Sequence, residues 1–282
     1  MSVVLRGDQS LGPYLVPYLQ GGLGNVLFQV CSSFGLARKH GYQFGLNTEV
    51  KAATPAIHSK IDYFGADGFL GGLTSRYSTT TVPDRRFVED AFFRPQSWAA
   101  VEDTAAGSIT MEGYFQRPSH FERHWLELAQ TLQWPVEKQP MLLQKYDALD
   151  KDTCFHVRGG DYRYLPLHAV DLRSYYKECY KTLDLDQTRH IYVATNDQSY
   201  VDYMLPWLTD MRYTLIEEDE LNTLWLLKQC KGGIVGSNSS YAWWACFMND
   251  VAPASKLMLP EQWFTDPRFD TSCYTSPRFT RL

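Results

Sequence analysis

The chain has 282 residues, 27 of them Lys or Arg and 32 Asp or Glu, for a formal charge of −5 at neutral pH. Apolar residues make up 44% and charged residues 21%, which excludes a disordered chain and allows one large core or two ordinary ones. The acidic balance excludes a non-specific nucleic-acid binder, whose affinity comes from phosphate neutralisation, but leaves room for a local basic pocket that takes one small phosphorylated ligand.

No export or membrane segment is expected. The first residues, with Asp8, Pro13 and Pro17, lack the apolar core of a secretory signal. The stretch from Gly232 to Phe247 is interrupted by Ser237, Asn238, Ser239 and Ser240, so it cannot supply the roughly 20 apolar residues of a membrane span. Cys31, Cys154, Cys179, Cys230, Cys246 and Cys273 form no CxxC pair and no cluster with zinc spacing. Mostly buried, reduced thiols are expected, in keeping with a cytoplasmic location.

In chain order, Leu15–Gln20 is a short apolar segment that ends at Gly21-Gly22. Val26, Leu27, Val30, Cys31, Phe34 and Ala37 then recur at helical spacing, and Lys39-His40-Gly41 is a helix stop. Tyr42–Leu46 reads as a strand, residues 48–107 mostly as loops with short elements, and Ser108–Glu112 as a strand. Ser119 with Glu122 has the form of a capping box and predicts a helix to about Gln133. Trp134–Pro140 is the candidate linker, which divides the chain into domains 1–135 and 136–282.

The second half alternates regularly. Strands are predicted at Thr153–Val157, His190–Ala194, Arg212–Ile216, Gly233–Gly236 and Lys256–Leu259. Helices are predicted at Asp171–Leu183, Gln198–Leu208, Glu218–Cys230 and Ser239–Met248. Such alternation implies an α/β fold with parallel sheets, whose ligands sit at the carboxyl ends of the strands.

Three loops fall at such ends. Gly21-Gly22-Leu23-Gly24-Asn25 is Gly-rich and opens a helix, without the GxGxxG fingerprint; it suits an anion or a plain structural turn. In His156-Val157-Arg158-Gly159-Gly160-Asp161-Tyr162, His156 and Arg158 share one face of an extended strand, with Asp161 in the turn beyond. Arg158 suits a phosphate through its planar fork, or pairs simply with Asp161. Ser237-Asn238-Ser239-Ser240-Tyr241 offers hydroxyls and helix N–H groups to an anion, or an ordinary N-cap. Trp243 and Trp244 beyond it suit a core better than a sugar platform.

These residues carry a resemblance. GGLGNVLFQ (21–29), EGYFQRPSHF (112–121), HVRGGDY (156–162), ATND (194–197), ELNTLWLLKQCKGGIVGSNSSYAWWA (220–245) and PEQWF (260–264) keep the order and spacing of the α-1,2-fucosyltransferases of glycosyltransferase family 11, which the chain resembles. The resemblance implies an α/β fold of GT-B type, with two facing Rossmann-like domains of parallel sheets. It implies an inverting transfer of L-fucose from GDP-L-fucose to the 2-hydroxyl of a galactose-like acceptor glycan. It further implies that Arg158 holds the β-phosphate and that Ser239, Ser240 and Tyr241, with Asn238, hold the diphosphate. His156 would seat the nucleotide or sugar, Gly24 and Asn25 would close over the donor from the opposite domain, and Asp197 would either meet the guanosine or serve as a structural loop aspartate. Asp161 is the carboxylate nearest the arginine and the candidate base. The family usually carries a second arginine where this chain has Gly159, which bears on donor choice. No Asp-x-Asp triplet follows a strand, since Asp184-Leu185-Asp186 follows a helix, so a metal-free mechanism with no cofactor is expected.

Overall fold

The computed structural model describes residues 12–52, 61–149, 151–185, 190–208 and 213–282. The readings that fall on residues 1–11, on Asp186 and on Arg212 lie outside the described residues. The chain divides into two compact units. One comprises Met1–Gly21, Val26–Ala91 and Pro95–Leu132, and the other Gly22–Asn25, Phe92–Arg94 and Gln133–Leu282.

The first unit contains β1 (Tyr14–Pro17), most of α1 (Leu23–His40), β2 (Gln43–Phe44), α2 (Gly71–Tyr77), β3 (Arg85–Val88), α3 (Ala99–Glu102), β4 (Ile109–Glu112) and α4 (Trp125–Ala129). Its strands form a parallel sheet in the order β2-β1-β4-β3, with Leu15 beside Ile109 and Arg85 beside Ile109 on the other flank. The apolar stripe of α1 is buried, and Phe34 packs edge-on against Phe44 and Tyr77. The helix ends on Arg38, Lys39 and His40, which complement the carbonyl end of its dipole.

Among the described residues of 48–107, which are mostly loops, the expected short elements are α2, β3 and α3. β3 is an edge strand whose Arg86 pairs with Glu112 across the ladder at 2.9 Å, and charge on an edge disguises a strand. The helix expected from Ser119 is broken into 3-10 turns at Pro118–His120 and Glu122–His124 followed by the short α4, and Ser119 makes no cap. Pro118 sets the first turn, so Ser119 lies inside it and cannot serve as its cap.

The second unit contains α5 (Gln139–Lys145), β5 (Thr153–Val157), α6 (Arg173–Thr182), β6 (Ile191–Thr195), α7 (Gln198–Met204), β7 (Tyr213–Ile216), α8 (Glu220–Gln229), β8 (Ile234–Val235), α9 (Ser240–Met248), β9 (Leu257–Leu259) and β10 (Thr280–Arg281). All pairings are parallel, in the order β10-β9-β8-β5-β6-β7. Phe155, Val157, Ile191, Val193, Val201 and Val235 are fully buried in the core between sheet and helices. The helix expected over 198–208 stops at Met204, and Pro206 opens a 3-10 turn because a proline cannot continue the ladder. Asp219 caps α8 by accepting hydrogen bonds from the Leu221 and Asn222 amides.

The strand order places the topological switch of this sheet at β5 and β8. From β5 the chain runs outward through β6 and β7, then returns to β8 and runs the other way through β9 and β10. The loops after β5 and β8 therefore flank the crevice where open parallel sheets bind ligands. All six cysteines are buried and unbridged. Among the described residues no helix is long and apolar enough to cross a membrane.

Candidate functional site

His156 is the penultimate residue of β5 and is 6% exposed. Its Nδ1 shares a hydrogen bond with Ser237 Oγ at 2.9 Å, and its ring stacks on Tyr241 at 5.4 Å. Burial, helped by the Arg158 charge, holds its pKa down at about 3, so the ring is neutral at pH 7. It thus ties the β5 end to the β8 loop.

Arg158 emerges beyond the strand. One terminal nitrogen donates to Asp161 Oδ1 at 2.6 Å, and the guanidinium lies 5.0 Å from the centre of the Tyr162 ring. Its buried Nε has no hydrogen-bond partner among the described residues. A buried guanidinium donor without an acceptor is unfavourable in the protein alone, and an anion in the crevice would satisfy it. Asp161 is committed to this ion pair.

Gly159 and Gly160 turn the chain against β6. The Gly159 amide donates to Asn196 Oδ1 at 2.9 Å and the Gly160 amide to Asp197 Oδ2 at 3.0 Å. Asp197 Oδ2 also accepts from Arg163 at 3.1 Å, and its Oδ1 accepts from Ser199 Oγ at 2.7 Å. These donors, the Gly160 amide first, bring the Asp197 pKa down to about 2. Both carboxylate oxygens are engaged within the loop. A Cβ at Gly159 would lie 2.7 Å from Asp197 Cβ and 2.9 Å from Tyr200 Cβ, so a side chain there displaces the loop.

The β8 loop leads into α9. Ser239 is the N-cap, its Oγ accepting from the Tyr241 amide at 3.3 Å. Asn238 is buried and donates to the carbonyls of His168 and Trp263 at 3.1 and 2.9 Å. Ser240 Oγ donates to Asn25 Oδ1 at 2.7 Å, and Tyr241 donates its phenol proton to the Glu220 carbonyl at 2.6 Å.

Gly24 and Asn25, expected on the opposite domain, pack with the second unit. The Gly24 carbonyl accepts from Trp244 Nε1 at 3.0 Å. A Cβ at Gly24 would stand 2.5 Å from the Tyr241 amide nitrogen and 2.6 Å from the Ser240 carbonyl carbon, which explains the glycine. The first turn of α1 thus lies directly on the start of α9. Trp243 and Trp244 are fully buried and serve packing.

His156, Arg158, Asp161, Asp197, Asn238, Ser239, Ser240 and Tyr241 lie at or just beyond the carboxyl ends of β5, β6 and β8, and Gly24 and Asn25 lie in the first turn of α1, against the start of α9. Sequence reasoning missed Asn196, Arg163 and His168. His168 stacks on Tyr162 at 4.6 Å, beside the arginine. The signal for Asn196 was a side-chain acceptor just after a strand; Arg163 and His168 carried none, since their placement depends on which strands are neighbours. Among the described residues no group of three or more His, Cys, Asp or Glu side chains could hold a metal ion.

No family model matches the chain. A curated relative, the O-antigen biosynthesis glycosyltransferase WbnK of Escherichia coli, is 25% identical over 122 residues; the match covers 40% of this chain and only 39% of the relative's length. Among solved structures, the NodZ alpha-1,6-fucosyltransferase soaked with GDP-fucose aligns with a TM-score of 0.51 at 11% identity, covering 86% of this chain and 93% of that one. An Arabidopsis thaliana FUT1 variant in complex with GDP aligns with a TM-score of 0.52 at 12% identity, covering 94% of this chain and 74% of that one. At these identities the likeness is one of fold: the chain is a mixed α/β protein with two parallel sheets, matching fucosyltransferase structures of GT-B type.

Proposed function

We propose that the chain is an inverting glycosyltransferase that moves L-fucose from GDP-L-fucose to the 2-hydroxyl of a galactose-like acceptor glycan. The observation that carries this reading is Arg158, with its buried, unpaired Nε at the switch point between β5 and β8. The ordered motifs of the family 11 resemblance support the donor and the linkage, and the fold shared with structures titled as GDP or GDP-fucose complexes supports the nucleotide.

The chemistry follows from the residues. Transfer passes through an oxocarbenium-like transition state while negative charge grows on the departing diphosphate. Arg158 neutralises that charge from a fixed position, and the start of α9 adds its amide groups and dipole. Ser239 and Ser240 shape that helix start, neutral His156 and Tyr241 form its stacked wall, and Asn238 locks the loop. Asp197 acts through the loop, holding Gly160 and Arg163 in place, rather than by offering a free carboxylate to guanosine.

The test is incubation of the protein with GDP-L-fucose and a panel of β-galactosides, with and without chelator, followed by linkage analysis. α-1,2-Fucosylated product formed equally with chelator is the expected result. No transfer to any galactoside removes the reading, and loss of activity on chelation removes its metal-free form. Gly159 favours a second reading, a transferase for another GDP-linked 6-deoxyhexose, which a panel of donors separates. GDP binding without turnover of any donor would instead mark a catalytically inactive binding protein.

A further inference from the structure

The Tyr162 ring stands beside a second side chain with an unused buried nitrogen. The Arg158 guanidinium lies 5.0 Å from the ring centre, and the His168 imidazole stacks on the same ring at 4.6 Å, with the planes 24° apart. Nδ1 of His168 is buried and, like Nε of Arg158, makes no hydrogen bond among the described residues.

This histidine is fixed at the switch point of the second sheet by its backbone and its ring faces. Its amide donates to the Leu165 carbonyl at 2.8 Å. Its carbonyl accepts from Asn238 Nδ2 at 3.1 Å, which ties it to the loop after β8. The same Asn238 nitrogen donates to the Trp263 carbonyl at 2.9 Å, and the Phe264 ring lies 5.4 Å from the imidazole. The loops after β5 and β8 and the segment after β9 thus converge on His168, at the crevice where open parallel sheets bind ligands. None of these contacts uses Nδ1. A buried ring nitrogen left out of the packing calls for a partner.

The state of the ring suits an anion. Burial holds the His168 pKa below the ordinary 6.5, and the Arg158 charge adds to the fall, against the opposing effect of Asp161. The ring is therefore neutral at pH 7 and carries one N–H, which on Nδ1 is a donor.

We propose that His168 is a second donor to the diphosphate of the nucleotide, its Nδ1–H binding an oxygen of the anion that also takes up Arg158 Nε–H. The proposal rests on the transferase reading above and deepens it. Arg158 supplies charge, and His168 supplies a fixed direction from the opposite side of the crevice loops. Both donors gain strength as negative charge collects on the departing diphosphate.

The experiment measures binding of GDP and of guanosine to the full chain and to two variants. His168→Phe keeps a ring against Tyr162 and Phe264 and removes the donor. His168→Asn removes the ring and keeps an N–H close to where Nδ1 stands. The expected result for His168→Phe is GDP binding weaker by about 10–100-fold with guanosine binding unchanged. His168→Asn should bind GDP more tightly than His168→Phe; a role in packing alone predicts the reverse order, which overturns the proposal. GDP affinity of His168→Phe within about threefold of wild type also overturns it, as does an equal loss for GDP and guanosine. If the wild type binds GDP with this dependence on His168 but transfers no sugar, the transferase reading falls and the diphosphate site stands. Absence of GDP binding by the wild type overturns both.

Discussion

Arg158→Ala separates turnover from folding. In the folded chain the side chain is one third exposed, paired with Asp161 at 2.6 Å and set 5.0 Å from the Tyr162 ring centre. A solvated ion pair contributes about 0–1 kcal/mol and an exposed cation–π contact about 0.5–1 kcal/mol. Removal also relieves the buried Nε that has no partner, which offsets part of that loss. The net change in stability is about 1 kcal/mol or less, or about 2–4 °C in Tm for a unit of this size. Loss of a preorganised donor to a developing negative charge costs about 2.7–4 kcal/mol, or roughly 10²–10³ in kcat. Transfer from GDP-L-fucose, followed by release of GDP, should therefore fall by two to three orders of magnitude while thermal unfolding hardly moves. Arg158→Lys should fall between, since it keeps the charge and loses the fork. Turnover of Arg158→Ala within about threefold of wild type would refute the reasoning.

Gly159→Arg places at this position the residue usual in the family that the sequence resembles, yet here it should lower Tm and leave GDP binding no tighter, because the new Cβ meets Asp197 Cβ and Tyr200 Cβ; tighter binding at unchanged Tm would contradict the geometry. Gly24→Ala should weaken GDP binding by pushing the first turn of α1 off Ser240 and Tyr241, which calorimetry measures; unchanged affinity would show that this contact has no part in donor binding. Buried His156 has a folded pKa of about 3 against an ordinary 6.5. The unfolded chain therefore binds the extra proton between these values, and stability is full above about pH 6.5 and declines as pH falls towards 3, by roughly 1 kcal/mol per unit from this group. Urea unfolding between pH 7 and pH 5 should show that slope, and His156→Gln should flatten it; equal slopes would refute the assignment.

Much of the second unit is legible because its strands are short, apolar and bounded by glycine or polar residues. HIYVA gave β6 to within one residue, and Asp219 and Ser239 cap the helices that follow them. The first unit is less legible for physical reasons. β3 begins with two arginines, since an edge strand tolerates charge, and the segment after Arg117 is short turns set by Pro118. At the candidate site, the loop positions were visible because tight strand-to-helix turns use small and hydroxyl-bearing residues. The bonds within the loops were not. Asn196 meets Gly159 only because β6 lies beside β5, and local sequence does not encode strand order.

The same adjacency accounts for Gly159. With β6 on that flank, Asp197 and Tyr200 occupy the space into which a side chain at 159 would project. Asp197 gathers the Gly160 amide and the Arg163 guanidinium on one oxygen. Arg163 is further held by Ser199 at 3.1 Å and lies 5.2 Å from the Tyr200 ring centre. The loop thus carries a second arginine, on the turn that opens at Gly160 and not next to Arg158. Its charge is balanced by Asp197, whereas the Nε of Arg158 is left without an acceptor. In the proposed function the two arginines therefore divide the work: Arg163 secures the loop, and Arg158 keeps a donor for the diphosphate.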